Sequence, residues 1–192
     1  MHKVVYVTGA PAAGKSSATR LLREQVHGIL VWEYGARLTE HVNLRTLGKV
    51  EQDHLRRRSA GIVTPQDVAS VDGELLAFVR KHRPDSNVLI DSHPVTKESY
   101  GYRITPFSFE QFIELGPDEI WVLYASCDET RRRIAADAGG RPMVTPDEAQ
   151  MHTIVQASVA ATYGMAAGCP VYMFDTAVPR EELVARLSGR LA

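Results

Sequence analysis

The chain has 192 residues, of which 44% are hydrophobic and 23% are charged, and this is typical of one soluble globular domain with a sizeable core. Its formal net charge of -1 excludes a global positive field that would steer the protein onto nucleic acid or an anionic membrane. An anionic ligand must therefore be met by a local basic site.

The start of the chain and the two cysteines predict a cytoplasmic protein. The apolar run after Lys3 is too short for the core of a signal peptide and far too short for a membrane span, and no later run approaches about 18 apolar residues. Cys127 and Cys169 belong to no CxxC pattern and lie beside apolar segments. This placement predicts buried, reduced thiols.

Five short apolar runs predict the strands of a sheet. Each run is continuous rather than alternating, as expected for parallel strands that helices cover on both faces. The first run leads into a glycine-rich turn, and the third leads into Asp91-Ser92-His93. In chain order the five runs span residues 4–8, 29–33, 88–91, 120–124 and 171–174.

Helical patterns lie between these runs, and the first helix is predicted over residues 17–26. Thr64-Pro65 and Thr145-Pro146 each combine a threonine N-cap with proline at the first helical position, and Val178-Pro179 opens the last helix. Apolar residues then recur at helical spacing: Val68, Val71, Leu75 and Val79 in one helix, and Val155, Val159 and Tyr163 in another. Strands that alternate with helices predict a three-layer α/β fold.

Two segments interrupt this alternation. One is a polar, helix-rich stretch at about residues 35–82, and the other is a glycine-rich loop at residues 138–142 between two helices. Both are candidates for mobile insertions over a site. Because there is no internal repeat and no interdomain linker, residues 1–192 are predicted to form a single domain.

The strongest motif follows the first strand directly. In GAPAAGKSS every fixed position of GxxxxGK[ST] is matched, with an apolar strand before it and a helix after it. Backbone N–H groups can curl around a phosphate there, and the helix N-terminus adds partial positive charge. Lys15 would reach the β- and γ-phosphates, and the Ser16 hydroxyl would bind Mg²⁺. The predicted phosphate-binding loop comprises Gly9, Ala10, Pro11, Ala12, Ala13, Gly14, Lys15, Ser16 and Ser17.

A nucleoside triphosphate site leaves three kinds of function open. These are hydrolysis coupled to a switch, phosphoryl transfer to a small acceptor, and binding without turnover. The sequence has no NKxD-type guanine motif, which weakens the interpretation as a GTPase.

The phosphate-binding loop, the IDSH stretch and the later segment ATYGMAAGCPVYMF together resemble the archaeal-type adenylate kinases, a branch of the nucleoside monophosphate kinases. Members of this branch carry an ID[TS]H strand end, a GY-containing loop a few residues later, and a YG or FG pair after strand two. Here these are Asp91-Ser92-His93, Gly101-Tyr102 and Tyr34-Gly35. The similarity runs from about residue 3 to residue 175, in the same order and at similar spacing.

The resemblance implies an ATP-dependent kinase that acts on a nucleoside monophosphate, with AMP as the expected acceptor. It implies an α/β/α P-loop kinase fold with a five-stranded parallel sheet, a helical acceptor-binding insertion at about residues 35–82 and a short lid at about residues 131–145. It also implies ATP and Mg²⁺ as cofactors and small-molecule nucleotides as partners, without nucleic acid or membrane. A homo-oligomer of two or three copies is expected.

Asp91 and His93 are the candidates at the end of the third strand. Asp91 would hold Mg²⁺ through water or orient the acceptor phosphate, whereas as a structural residue it would cap the following turn. The phosphate-binding loop and the ID[TS]H match favour the functional role. His93 would hydrogen-bond the acceptor phosphate or orient Asp91, and a structural role is equally open.

An arginine is the expected ligand of the acceptor phosphate. The family carries it in an Asp-x-x-Met-Arg pattern, which the resemblance transfers to Arg56. The guanidinium fork fits two phosphate oxygens. A solvated helix face is the alternative interpretation of Arg56-Arg57-Arg58. Further candidates for the acceptor site are Gly35, Lys97, Tyr100, Tyr102 and Arg103.

One of the two basic candidates, Lys97 or Arg103, would contact the acceptor phosphate, while Tyr100 and Tyr102 would stack on a base or pack the loop. The family's loop after GY usually continues LPGLP, whereas this chain has Arg103-Ile104-Thr105-Pro106-Phe107. Since that loop shapes the acceptor pocket, the identity of the acceptor stays open.

Arg133 and Arg141 are the predicted catalytic residues of the lid. Lid arginines in such kinases close over the phosphates, neutralise charge in the transition state and exclude water. Arg131 and Arg132 lie beside them, and surface solubility is the alternative role for at least one of these two. The family's second lid arginine falls at Met143.

Two other hypotheses accompany the nucleoside monophosphate kinase. A P-loop kinase for a different small acceptor, such as a nucleoside, a sugar or an antibiotic-like alcohol, would use Asp91 as the general base. A nucleotide-binding regulatory or assembly factor with weak ATPase activity would fit the reduced charge of the lid.

Overall fold

The computed structural model describes residues 2–46, 61–137 and 141–191, so the position of Arg56 lies outside the described residues. Within these ranges the chain forms seven strands: β1 Val4–Thr8, β2 Ile29–Glu33, β3 Asn87–Asp91, β4 Val95–Glu98, β5 Gly101–Ile104, β6 Glu119–Tyr124 and β7 Val171–Asp175. Seven helices lie wholly within them: α1 Lys15–Gln25, α2 Tyr34–Thr46, α3 Pro65–His82, α4 Phe109–Leu115, α5 Cys127–Ala135, α6 Pro146–Ala167 and α7 Arg180–Ser188.

Five strands form one sheet in the order β2-β3-β1-β6-β7, and every neighbouring pair is parallel. The central strand β1 pairs with β3 on one side, where Val7 is in register with Asp91. It pairs with β6 on the other side, where Thr8 is in register with Val122. The expected five-stranded parallel sheet is confirmed, and the carboxyl ends of β1 and β3 meet at one edge, where ligands bind in such sheets.

Helices cover both faces of this sheet. On one face α3, α4 and α6 pack against side chains such as those of Tyr6, Ile90 and Ile120. On the other face α1 and α7 pack against the alternate residues, including Val5 and Leu89. Since both faces are covered, the strands are apolar throughout, which explains the continuous runs in the sequence. The three-layer α/β fold is confirmed.

The threonine caps begin α3 and α6 as the sequence predicts. Thr64 accepts a hydrogen bond from the backbone N–H of Asp67, and the Asp67 carboxylate accepts one from the backbone N–H of Thr64. Thr145 and Glu148 form the same reciprocal pair. Each box satisfies two N–H groups that a helix start leaves without a partner.

The acceptor loop differs from the expectation. Strands β4 and β5 form an antiparallel hairpin in which Lys97 is opposite Tyr102, so this segment is regular structure rather than a loop. The hairpin is held against α6, because the Tyr102 hydroxyl donates to the carbonyl oxygen of Glu148 at 2.6 Å. Tertiary docking of this kind is not visible in local sequence patterns.

The buried stripe of α6 also differs from the expectation. Val155 and Val159 are only half-buried, and the buried positions of this helix are Ala149, His152, Gln156, Ala160, Tyr163 and Gly164. Polar side chains occupy the centre of the stripe because it faces polar groups: Gln156 donates to the Thr8 hydroxyl at 2.6 Å.

Two smaller observations complete the fold. Cys127 and Cys169 are free, as predicted, but half-buried rather than buried. Of the helices in the described ranges, none has the length and apolar character that a membrane span needs.

Candidate functional site

A large cleft lies along the edge where the strands end. Its volume is about 1660 Å³, which exceeds the range of about 300–1,000 Å³ that is usual for one drug-sized ligand. The phosphate-binding loop, the end of β3, the β4–β5 hairpin and residues from α2, α3 and α5 all line it. The cleft therefore has room for two small substrates side by side.

The phosphate-binding loop adopts a backbone that two glycines allow. At Gly9 an added Cβ would lie 2.2 Å from the carbonyl oxygen of Leu123. The phosphate-binding loop can therefore lie this close to β6 only because residue 9 has no side chain. Gly14 has φ +85° and is the residue before α1, in the left-handed region that glycine adopts readily. Lys15 donates from Nζ to the carbonyl oxygen of Gly9 at 2.9 Å, which places its ammonium across the loop.

The start of α1 differs from the starts of most other helices. Serine or threonine side chains cap α3, α4, α5 and α6, but α1 begins after Gly14 without a side-chain cap and without an acidic residue in its first turn. Its first N–H groups thus lack a side-chain acceptor, and they carry the positive end of the helix dipole. This is the arrangement that binds a phosphate.

The end of β3 brings polar side chains to the same cleft. Asp91 and His93 both line it, and Asp91, the last residue of β3, is in register with Val7 of β1, two residues before the phosphate-binding loop begins. Ser92 between them is buried, and its backbone N–H donates to the carbonyl oxygen of Val7 at 3.1 Å. The Ser16 hydroxyl and the Asp91 carboxylate supply oxygen donors of the kind that Mg²⁺ prefers.

His152 is a cleft residue that the sequence interpretation missed. It is buried on α6, and its Nε2 lies 3.2 Å from the carbonyl oxygen of Val95. Burial lowers the pKa of His152 to about 4; the hydrogen bond to Val95 opposes this shift, and the positive charges of Lys15 and Lys97 add to it. The imidazole is therefore neutral at physiological pH. The sequence signal for its burial was that His152 follows Ala149 by three residues, which puts both on one face of the helix.

The arginines of α5 have structural partners. Arg133 donates to the carbonyl oxygen of Ala12 at 3.2 Å and to Thr176 at 2.8 Å and 2.6 Å, so it joins the phosphate-binding loop to the segment after β7. Hydrogen bonds from Arg132 and then Arg133 lower the pKa of Glu129 to about 2. The Arg133 guanidinium thus lies against the loop itself in this structure.

Arg141 and Arg131, two arginines of the predicted lid, have protein partners. Arg141 forms an ion pair with Asp137 at 3.0 Å and lines the cleft. Arg131 donates to the carbonyl oxygen of Val144 at 3.2 Å. Met143 is also in the cleft lining and is 52% exposed, so an apolar side chain stands where the family carries an arginine.

Two basic side chains of the hairpin line the cleft, whereas its tyrosines do not. Lys97 and Arg103 line the cleft, where Lys97 pairs with Glu148 at 2.9 Å and Arg103 pairs with Glu98 at 3.3 Å. Tyr102 lies outside the lining, because its hydroxyl is bonded to α6.

Where α2 and α3 line the cleft, Asp72 is a buried carboxylate beside Tyr34. Tyr34 donates its hydroxyl hydrogen to Oδ1 of Asp72 at 2.7 Å, and Asp72 is only 3% exposed. Burial raises the pKa of Asp72 to about 6, although the Tyr34 hydrogen bond lowers it. Burial and the Asp72 charge raise the pKa of Tyr34 far above its ordinary value. The other described residues here include Gly35, Leu38, Val68 and Phe107.

A family model described as an AAA domain matches residues 8–150, which is well over half of the chain. The chain belongs to this AAA domain family. The matched region of the AAA domain includes the phosphate-binding loop, the end of β3, the hairpin and the arginines of α5.

Two curated relatives of this AAA domain protein are adenylate kinases. The enzyme of Methanococcus aeolicus is 25% identical over 175 residues, which cover 88% of this chain and 87% of the relative. The enzyme of Pyrococcus horikoshii is 25% identical over 167 residues, which cover 86% of this chain and 82% of the relative. The resemblance to adenylate kinases inferred from IDSH and Tyr34-Gly35 is confirmed.

Solved structures with the same fold as this AAA domain include two kinases and a resistance protein. A sugar kinase from Janibacter sp. has a TM-score of 0.58 at 15% identity, over 100% of this chain and 96% of its own. The tunicamycin resistance protein of Deinococcus radiodurans has a TM-score of 0.58 at 13% identity with the same coverage. Shikimate kinase from Bacteroides thetaiotaomicron has a TM-score of 0.56 at 17% identity, over 98% of both chains. The P-loop kinase fold is confirmed.

Proposed function

We propose that the protein is a nucleoside monophosphate kinase that transfers the γ-phosphoryl group of ATP to AMP and so forms two molecules of ADP. The observation that carries the proposal is the register of β1 and β3. It sets the phosphate-binding loop beside Asp91 in one cleft with room for two substrates. The two adenylate kinase relatives support AMP as the acceptor.

The donor half of the cleft would bind the phosphates of ATP. The uncapped N-terminus of α1 and the loop N–H groups would contact phosphate oxygens, and Lys15 would leave the Gly9 carbonyl to reach the β- and γ-phosphates. Ser16, together with Asp91 through water, would hold Mg²⁺. The ion would neutralise charge that develops on the phosphates.

Transfer needs alignment more than proton chemistry. An oxygen of the AMP phosphate attacks the γ-phosphorus, and the bond from that phosphorus to the β-bridging oxygen breaks as ADP leaves. Because the attacking phosphate is already anionic, no general base is required. We assign its binding to Arg56, with His93, Lys97 or Arg103 as the neighbouring donors in the cleft.

The α5 arginines would act on the donor side. Arg133 is held against the loop at Ala12 and would keep the loop in its phosphate-binding shape. Arg141, now paired with Asp137, would exchange that carboxylate for phosphate oxygens when a lid over about residues 131–145 closes. Closure would exclude water and so suppress hydrolysis of ATP.

A panel of nucleoside monophosphates with Mg²⁺ and ATP tests the proposal by product analysis. We expect ADP from ATP and AMP, and near-complete loss of activity in Lys15→Ala. Lys81→Ala is the matched control, because Lys81 is exposed at the last turn of α3 and far along the chain from the loop. Absence of a nucleoside diphosphate product with every acceptor would refute the proposal. Slow hydrolysis that no acceptor stimulates would favour a regulatory factor.

A kinase for a small alcohol is the second candidate, and the position of Asp91 favours it. A carboxylate in the cleft beside the phosphate-binding loop can act as general base toward a hydroxyl. Arg56→Ala separates the two: it should abolish activity if the acceptor is a phosphate and spare it if the acceptor is a neutral alcohol.

We also propose a homo-oligomer of two or three copies in the cytoplasm. Exposed apolar side chains on α4 and α6, two helices that pack together, are a surface that such an oligomer would bury; they include Phe109, Ile113, Ile154 and Met165. Light scattering during size-exclusion chromatography measures the number of copies, and a monomer at all concentrations would contradict this.

A further inference from the structure

Asp72 is an unusual carboxylate for a helix interior. It lies in the middle of α3, lines the cleft and is 3% exposed. Within residues 2–46, 61–137 and 141–191, its side chain has one hydrogen bond, from the Tyr34 hydroxyl to Oδ1, and no ion pair. A buried carboxylate usually has a cation or several donors, since burying a charge without them is costly.

The groups around Asp72 do not supply the missing donors. Tyr34 and Phe107, whose ring centroids are 5.6 Å apart in an edge-to-face arrangement, form an apolar wall together with Leu38 and Val68. Tyr6 and Tyr163 are the other titratable residues close enough to interact with the Asp72 charge. Burial raises the pKa of both phenols, so they stay neutral.

The shape and chemistry of this part of the cleft fit a nucleobase. A flat apolar ring can lie between the aromatic and aliphatic side chains, and a carboxylate at the edge can accept hydrogen bonds from N–H groups of that ring. An ionised carboxylate has about four lone-pair sites, and Tyr34 occupies one of them. Oδ2 remains for a ligand.

We propose that Asp72 selects the acceptor base by accepting, through Oδ2, a hydrogen bond from an exocyclic amino group, such as the 6-amino group of adenine. The inference rests on the proposed function, which it extends from a phosphate site to the choice of base. Tyr34 acts as a positioning residue, because its hydrogen bond to Oδ1 turns Oδ2 toward the ligand. A base with a keto oxygen at the same place is rejected by repulsion between two acceptors.

Three purine nucleotides isolate this contact. AMP carries the 6-amino group, purine riboside 5′-monophosphate lacks any substituent there, and IMP carries a keto oxygen. We expect the wild-type kcat/KM to be about 100-fold higher for AMP than for IMP, since a site that binds a donor leaves its own polar group unpaired with the wrong ligand. Purine riboside 5′-monophosphate should lie between them.

Asp72→Asn is the decisive variant. The buried Tyr34 hydroxyl still needs an acceptor, so the amide oxygen takes the place of Oδ1 and the amide N–H₂ faces the base. The ratio of kcat/KM for AMP to that for IMP should fall at least tenfold, through KM for the nucleotide rather than kcat. Asp67→Asn, at another buried carboxylate of α3 that does not line the cleft, should leave the ratio unchanged.

An AMP-to-IMP ratio that is the same in wild type and Asp72→Asn would overturn the inference, and so would a wild-type preference for the nucleotide without the amino group. If Asp72→Asn does not fold, the double variant Asp72→Leu with Tyr34→Phe replaces both partners by apolar groups of similar size and should give equal kcat/KM for AMP and purine riboside 5′-monophosphate. If the wild type phosphorylates no nucleotide, the proposed function fails; calorimetric binding of AMP and purine riboside 5′-monophosphate then still decides, and equal affinities would refute the role of Asp72.

Discussion

The Nε2 of His152 lies 3.2 Å from the carbonyl oxygen of Val95, so a buried imidazole joins α6 to the first strand of the hairpin that lines the cleft. Because burial lowers the pKa of His152 to about 4, the stability of the protein depends on pH through this residue. Above pH 6.5 the imidazole is neutral in both the folded and the unfolded chain. Below it the unfolded chain takes up a proton first.

We therefore expect His152 to lower the free energy of unfolding as pH falls from about 6.5 to about 4, by about 3 kcal/mol over that range. Urea unfolding at several pH values measures the slope, and His152→Gln should flatten it. His27→Gln controls for loss of an imidazole, since His27 is exposed. An unchanged slope in His152→Gln would show that the histidine is not buried as a neutral group.

Asp72 should act in the opposite direction. Its pKa is raised to about 6, so the folded chain binds the proton more tightly than the unfolded chain, and stability falls as pH rises from about 4 to about 6. Asp72→Asn removes this cost, and we expect it to raise the free energy of unfolding at pH 7.5 by up to about 3 kcal/mol. Thermal unfolding at pH 7.5 and pH 4.5 tests this, because the gain should be smaller at the lower pH.

Asp67 provides the contrast on the same helix. Burial alone would raise the pKa of Asp67, but the hydrogen bonds from Thr64 and the charge of Arg45 outweigh it and lower the pKa. Asp67→Asn should therefore destabilise the protein at neutral pH. If both substitutions change stability with the same sign, the assignment of Asp72 as a costly, function-linked carboxylate is wrong.

Arg133 should affect ATP more than the acceptor. Its contacts with Ala12 and Thr176 use three N–H groups of the guanidinium, and lysine cannot reproduce this fork. We expect Arg133→Lys to raise KM for ATP about tenfold, the equivalent of about 1.4 kcal/mol, with KM for the acceptor nearly constant. Arg132→Lys is the control, because Arg132 is 71% exposed and pairs with Glu129. Equal effects of the two substitutions on KM for ATP would contradict the role given to Arg133.

Gly9 should not tolerate a side chain. An added Cβ would lie 2.2 Å from the carbonyl oxygen of Leu123, so either β6 or the phosphate-binding loop must move. We expect Gly9→Ala to cost about 1–3 kcal/mol of stability and to abolish ATP binding measured by calorimetry. Gly73→Ala, on the exposed side of α3 with no atom within 4 Å, should instead be neutral or stabilise by up to about 1 kcal/mol. A Gly9→Ala variant that binds ATP normally would show that the loop can shift freely.

Much of the donor side was predictable because its determinants are local. The loop sequence from Gly9 to Ser17, the apolar run before it and the caps at Thr64 and Thr145 each specify their structure within a few residues. The acceptor side was predicted only in part. IDSH placed Asp91 at the end of a strand, but nothing local predicted that the segment after it would form a hairpin docked on α6.

The sequence by itself thus determined the α/β class, the parallel strands and the phosphate-binding loop, since periodicity and short motifs are properties of neighbouring residues. Only the tertiary structure brought Asp72 to Tyr34, Arg133 to Ala12 and His152 to Val95. These pairs are 38, 121 and 57 residues apart. Their contacts depend on how whole helices pack against the sheet, and that packing also determines which polar groups are buried and which face the cleft.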